Sequence, residues 1–246
     1  MSGLYIDSTP SEVSEADGVH LLTFNTPNGQ KVQIVLEELA LLYGVKWTTS
    51  VIKLFEGTQK KDWFLRLNPN GKIPTLVDNT DKSNPVPVME TTAEMLYLAE
   101  KYDKDHKLTF EDPIERAQMI QWLFFWHGSG QPIQGQLIWF SKFSKEKNPQ
   151  AIERFHNESL RIFGVMELHL SGTNSDGNAR EYLAGNGKGK YSIADIAVWP
   201  WVAKWEFGGF TKEEMEAYPN LLAWLDRIKD REAIKAGTDD KYGKMF

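Results

Sequence analysis

Cysteine is absent from all 246 residues. The chain therefore cannot build a disulfide framework, use a thiol nucleophile of its own, run a CxxC redox pair or hold a metal through sulfur. Only five histidines occur, His20, His106, His127, His156 and His169, without metal-ligand spacing, so no metal is expected. Excess positive charge is also missing. Against 28 basic residues stand 34 acidic ones, a net charge of −6. A protein that tracks phosphates shows a basic field, so nucleic acid is not an expected partner. No apolar run reaches the ~18 residues of a membrane span. The opening MSGLYIDSTPSEVSEADG is acidic and lacks the basic-then-apolar layout of a secretory signal. By elimination the sequence reads as a soluble, intracellular, globular protein, expected in the cytoplasm and without a membrane partner. Aromatic residues are plentiful, with nine Trp and thirteen Phe for a core. The length suits one large domain or two small ones.

Residues 1–18 read as a loose polar extension. Val19 to Phe24 reads as a short buried strand. From Gly29 to Tyr43 the apolar positions Val32, Val35, Leu36, Leu39 and Leu42–Tyr43 keep the three-and-four spacing of one helical face. Gly44 sits where a helix-ending glycine belongs. Trp47 to Lys53 reads as a second strand, and residues 56–68 as a loop with a helical segment. Ile73–Val77 and Val86–Met89 read as two strands across a polar turn. A helix is expected from Thr91 to Tyr102, with Thr91 and Glu94 in the form of a capping box. The order β-α-β-(α)-β-β-α defines a small α/β unit over residues 19–104. A polar linker follows at 105–111. Asp112-Pro113 then starts a helix, and only helical periodicity follows. Residues 112–236 read as an all-helical domain and 237–246 as a tail.

Four stretches invite a chemical reading. In SNPVPVMETTAEM a strand ends and Glu90-Thr91 starts a helix, whose free N–H groups and dipole favour an anion. A glutamate beside it pairs with an ammonium, so the pair suits an α-amino-acid group. A plain capping box explains the same residues. In NPNGKIPTLVD, proline precedes a strand to whose ladder it cannot donate. Either this is an ordinary edge-strand start, or a cis Ile73-Pro74 bond turns the Ile73 backbone toward a peptide ligand. Gly185, Gly187 and Gly189 mimic a phosphate cradle but lie outside any βαβ unit, so that reading is rejected. Ser192-Ile193-Ala194-Asp195 reads as a structural capping box. In WLFFWHGSG, aromatics meet a Gly/Ser stretch expected to bend or interrupt the helix. Most of these aromatics suit core packing, and some suit an apolar pocket where the two domains meet.

Together, Ile73-Pro74 before the third strand, Glu90-Thr91 at the last helix of the first unit, and Ser192–Asp195 in a helical domain resemble the cytosolic glutathione transferases. The resemblance covers Val19 to Lys235. The stretches TPNG, NPNGKIP, WLFF and AIERF are most similar to the branch holding the fungal Ure2p-type transferases and the bacterial nu-class disulfide-bond oxidoreductases. The fold implied is α/β plus all-α: a thioredoxin-like domain followed by an all-helical domain. The family's usual Glu-Ser pair is Glu90-Thr91 here, and threonine keeps the hydroxyl. The resemblance implies glutathione as cosubstrate, with the γ-glutamyl carboxylate on Thr91 and its ammonium near Glu90. It also implies that the cysteinyl backbone pairs with Ile73, and that the glycyl carboxylate meets Lys72 and Gln59. Arg154 matches an arginine that reaches toward the ligand. From the aromatic stretch, Phe125 and Trp126 are the residues expected to hold an apolar second substrate. A homodimer is implied as well.

The puzzle of the first unit is Thr26-Pro27-Asn28-Gly29, which follows a strand and opens a helix with no Cys, Ser or Tyr to act as nucleophile. Asn-Gly is a hairpin signal, but no second strand follows, which leaves an N-cap. With glutathione as cosubstrate, the ligand brings the sulfur. Asn28 and Thr26 then serve as hydrogen-bond donors to it, and residues from Gly29 on add unpaired N–H groups. The activity implied is thiol–disulfide exchange, with weaker conjugation to small electrophiles. Two alternatives stay open: a mainly conjugating detoxification transferase, and a non-catalytic glutathione-binding regulator of the same fold.

Overall fold

The computed structural model describes residues 3–175 and 177–244. The expected N-terminal extension and C-terminal tail include residues 1–2 and 245–246, which lie outside the described residues. The chain begins with α1 (Ser11–Ser14), β1 (Gly18–Thr23), α2 (Pro27–Tyr43) and β2 (Trp47–Val51). Next come α3 (Asp62–Leu67), β3 (Thr75–Asn79), β4 (Val86–Met89) and α4 (Thr91–Tyr102). Helices follow: α5 (Pro113–Phe125), α6 (Gln131–Ile138), α7 (Pro149–Leu170) and α8 (Ile193–Val202). The last are α9 (Trp205–Gly208), α10 (Lys212–Met215), α11 (Pro219–Lys229) and α12 (Glu232–Gly237). None of the described helices is long and apolar enough to cross a membrane. The chain forms two compact units. One holds the residues up to Lys104 together with those from Arg231 on; the other is Asp105–Asp230.

The first unit is built on a four-stranded sheet of order β2-β1-β3-β4. β2 runs parallel to β1, while β3 is antiparallel to both β1 and β4. The inner strands β1 and β3 are buried almost throughout, whereas the edge strands β2 and β4 are largely half-buried or exposed. Inner strands covered on both faces need continuous apolar runs, and LLTF and TLV supply them. Leu22 and Val77 share one face of the sheet. There they pack with Val13 of α1, Trp63, Phe64 and Leu67 of α3, and Leu4, Tyr5 and Ile6. The opposite face carries Thr23 and Asp78, which bond Gln33 of α2 and Tyr97 of α4.

Both ends of the chain differ from expectation here. The N-terminal extension is not loose. Val13 is fully buried, the Tyr5 hydroxyl donates to Asn79, and Ser50 Oγ donates to Glu12 at 2.9 Å. The C-terminal segment is neither a tail nor the end of the helical unit, because α12 packs along α2. Arg231 forks onto Glu38 at 2.9 and 3.2 Å, and Tyr242 Oη donates to Glu37 at 2.7 Å. Helical periodicity runs on through this segment, so the sequence pattern alone does not reveal which unit it joins.

The helical unit is centred on α8, buried on nearly all sides. Ser192 and Asp195 form the expected capping box. Asp195 is fully buried and also accepts from Trp224 Nε1 at 2.9 Å and the Leu183 N–H at 3.0 Å. Asp112 caps α5 through the Ile114 and Glu115 amides, with Pro113 in the first turn. The Gly/Ser stretch does not break its helix. Residues Trp126–Gly130 and Trp139–Phe143 are π-helical and flank α6. Gly130 lies against the Trp126 ring, where a side chain would collide.

Candidate functional site

Seven of the expected site residues belong to the first unit: Thr26, Asn28, Gln59, Lys72, Ile73, Glu90 and Thr91. Thr26 is the N-cap of α2, and its Oγ1 accepts from the Gly29 N–H at 3.1 Å. Having spent an acceptor lone pair, the hydroxyl keeps its own proton to donate. Pro27 opens the helix with no N–H to satisfy, and the half-buried Asn28 is its second residue. The Gly29 N–H is therefore already capped, contrary to the expectation of unpaired amides from that residue on. Gly29 itself is needed because α2 starts hard against the end of β1.

The NPNGKIP loop is organised by Asn68, which is buried at 1% exposure. Its Nδ2 donates to Lys72 O at 3.0 Å and Thr75 Oγ1 at 2.9 Å, and its Oδ1 accepts from the Asn70 N–H at 3.0 Å. Asn70 Nδ2 in turn donates to Glu90 Oε1 at 3.2 Å. Gly71 lies against Gln59 O, so the loop brings Gln59 beside Lys72. Gln59 Nε2 donates to Leu54 O at 3.3 Å, while its Oε1 is buried with no partner among the described residues. The Ile73-Pro74 peptide is cis. Ile73 lies just outside the sheet register, which begins at Thr75.

Glu90 adopts a positive φ of 74° as the N-cap of α4, and its side chain makes no capping bond. The expected capping box between Thr91 and Glu94 does not form. Thr91 is already the first helical residue, and Glu94 turns inward to complete burial. Sequence reasoning also missed Lys31, which is 1% exposed and donates to Thr91 Oγ1 at 3.4 Å. A signal was present: Lys31 falls four residues before Val35, on the apolar face of α2. Burial presses its ammonium down to about 7, against the pull of Glu94 and Glu90. One carboxylate, Glu90, thus stands exposed beside a helix start with a hydroxyl and N–H groups. This combination suits a ligand carrying both an ammonium and a carboxylate.

Phe125, Trp126 and Arg154 belong to the helical unit. Phe125 lines a cleft of about 440 Å³ with Gln118, Trp122 and His169, and meets Trp122 edge-on at 5.4 Å between centroids. Trp126 is fully buried, so it packs the core rather than lining an open pocket; its indole N–H has no partner among the described residues. Arg154 is exposed on α7. Among the described residues, no group of three or more His, Asp or Glu side chains is arranged to hold a metal.

Two family models match the chain. The glutathione S-transferase N-terminal domain matches residues 26–101, and the C-terminal domain matches residues 149–227. Glutathione S-transferase 2 of Schizosaccharomyces pombe is 39% identical, over 85% of this chain and 90% of its own. The disulfide-bond oxidoreductase YfcG of Escherichia coli is 36% identical, over 85% and 89%. The fold is shared with the glutathione transferase URE2P6 from Phanerochaete chrysosporium, solved with oxidized glutathione. That similarity has a TM-score of 0.79 at 34% identity, covering 91% of this chain and 96% of the other. With these relatives matched across both units, the chain belongs to the glutathione S-transferase family.

Proposed function

We propose that this protein is a glutathione-dependent thiol–disulfide oxidoreductase that also transfers glutathione, more slowly, to small electrophiles. The start of α2 carries this reading: a capped helix end offers Thr26 and Asn28 as donors and no ionisable nucleophile. Kinship with a disulfide-bond oxidoreductase supports it. Glutathione's γ-glutamyl carboxylate binds at the N–H and hydroxyl of Thr91, and its ammonium at Glu90. The cysteinyl backbone pairs with Ile73, and the glycyl carboxylate meets Lys72 and Gln59. Arg154 and Phe125 serve the ligand and the second substrate from the helical unit. The protein acts as a cytoplasmic homodimer, which light scattering tests by the mass of the eluting species.

The chemistry needs thiolate, and a free thiol titrates near ~8.5. A hydrogen bond to a charged partner is worth roughly 1.5–3 kcal/mol, and 1.36 kcal/mol is one pKa unit. Donation from Asn28 and Thr26 thus lowers the bound thiol by about one to two units. The thiolate attacks one sulfur of the substrate disulfide and expels the other as a thiolate, which takes up a proton. A second glutathione thiolate attacks the mixed disulfide, releasing the second substrate thiol and oxidized glutathione. Two glutathiones lose the two electrons that the disulfide gains.

Removing the donor tests this. In Asn28→Ala the pKa of the bound thiol, read by thiolate absorbance, should rise by about one unit, and disulfide turnover at neutral pH should fall about tenfold. Unchanged pKa and unchanged turnover would remove Asn28 from the mechanism. Comparing wild-type rates on a mixed disulfide and on an aryl halide ranks exchange against conjugation.

A further inference from the structure

Two ionisable side chains are buried between α2 and α4 and take no part in the mechanism above. Lys31 is 1% exposed and Glu94 is 0% exposed. Lys31 lies one turn after Asn28, so α2 carries the thiol donor and this cation on successive turns. Glu94 lies one turn after Glu90, and neither of its oxygens has a hydrogen bond of ordinary length among the described residues. Stranding an ammonium away from water is costly, so a buried lysine calls for a compensating group. Glu94 is a poor one: burial and the nearby Glu90 hold its carboxyl well above the usual carboxylate range, against weaker help from the Leu76 amide and Lys31. Lys31 also donates to Thr91 Oγ1 at 3.4 Å.

A threonine hydroxyl has one proton and two lone pairs. With a lone pair taken by Lys31, its proton is free to point away from the protein interior, to where a carboxylate binds. We infer that Lys31 is a positioning residue for glutathione binding: it directs the Thr91 hydroxyl proton outward and sets a buried positive charge behind the γ-glutamyl carboxylate. This rests on the reading of Glu90-Thr91 as the γ-glutamyl site. The titratable groups that act on Lys31 are Glu94 and Glu90. Arg231, just before α12, and Lys241, after it, reach Glu38 and Glu37, about two turns farther along α2. On β3, Asp78 is taken by Lys101.

An arriving carboxylate favours the charged lysine, so binding and protonation are coupled. The ammonium is lowered to about 7 in the free protein, and an added negative charge beside it pulls that value up. Proton uptake is then about half a proton at pH 7, and affinity declines as pH rises above that value. S-methylglutathione is the suitable probe, because it has no thiol to titrate. Calorimetry on the full chain in phosphate and in Tris reads the uptake. Wild type and Glu94→Gln should both take up the proton; loss of uptake in Glu94→Gln assigns it to Glu94 and overturns the inference. Lys31→Met should bind about tenfold more weakly at pH 6.5, with no uptake and a flat pH profile. In the reductase assay its KM for glutathione should rise about tenfold while kcat falls by no more than about twofold. Binding without uptake in wild type, or unchanged affinity in Lys31→Met, overturns the role of Lys31 alone. Failure of wild type to bind S-methylglutathione at all overturns the glutathione site itself.

Discussion

A methyl group added at Gly29 would lie 2.0 Å from the Phe24 carbonyl oxygen and 2.7 Å from Thr23 Oγ1. The first neighbour is backbone and cannot swing aside. Gly29 is therefore in the sequence for close approach of helix to strand, not for the hairpin that Asn-Gly usually signals. Its cost falls on the site, since Thr26 and Asn28 flank the contact. Gly29→Ala should lose about 1–3 kcal/mol of stability, the range for overpacking a tight contact. Urea denaturation measures that loss, and thiolate absorbance should show weaker activation of bound glutathione. An unchanged midpoint would mean that α2 can slide away from β1 freely. Single residues were unevenly legible in this sequence. Thr26, Asp112 and Ser192 announce helix starts because a cap is a local event within three residues. Lys31 and Glu94 announce nothing together, because their meeting needs two helices packed side by side.

At the scale of elements, α1, β1 and β2 are tied by a polar chain under the sheet. Ser50 donates to Glu12, so it accepts from the His20 Nε2–H at 3.0 Å; Nδ1 then accepts from the Thr48 hydroxyl at 2.7 Å. This arrangement needs neutral imidazole. Burial lowers the His20 pKa to about 4, outweighing the opposite pull of Glu12. The unfolded chain binds the proton near the ordinary value of 6.5. Between these values unfolding takes up a proton, so stability is present above pH 6.5 and is lost as pH falls toward 4. The loss is up to ~3 kcal/mol. His20→Gln cannot gain the proton, so its stability gap from wild type should shrink between pH 7 and pH 4.5 in urea titrations. A constant gap would show that His20 does not set this dependence. The β-α-β start and the later strands are legible because period-two and three-and-four patterns survive on each element alone. The N-terminal helix is not, because four residues with one buried valine leave no period to read.

For the whole molecule, the chain's return matters most. After the helical unit, the residues from Arg231 on rejoin the first unit and clamp α2. Arg231 satisfies the buried Glu38, and Asn25, next to Thr26, donates to Thr238 O at 3.1 Å and Asp239 O at 3.3 Å. Gln30 Nε2 holds the same Asn25 side chain through its Oδ1 at 2.7 Å. The helix that carries Thr26, Asn28 and Lys31 is thus braced by residues more than 200 positions later. At Gly237 the two helices pack closely: a Cβ there would sit 2.6 Å from Ile34 Cγ1 and 2.8 Å from the Ile34 backbone nitrogen. Gly237→Val should push α12 off α2 and cost about 1–3 kcal/mol. Because the two units are separate packing bodies, the damage should be local. Hydrogen exchange should show α2 amides losing protection while α8 amides keep theirs, and affinity for glutathione should fall with α2. Equal loss of protection in both helices would mean that the units unfold as one. Loss in neither would mean that the last helix is only a passenger on the first unit.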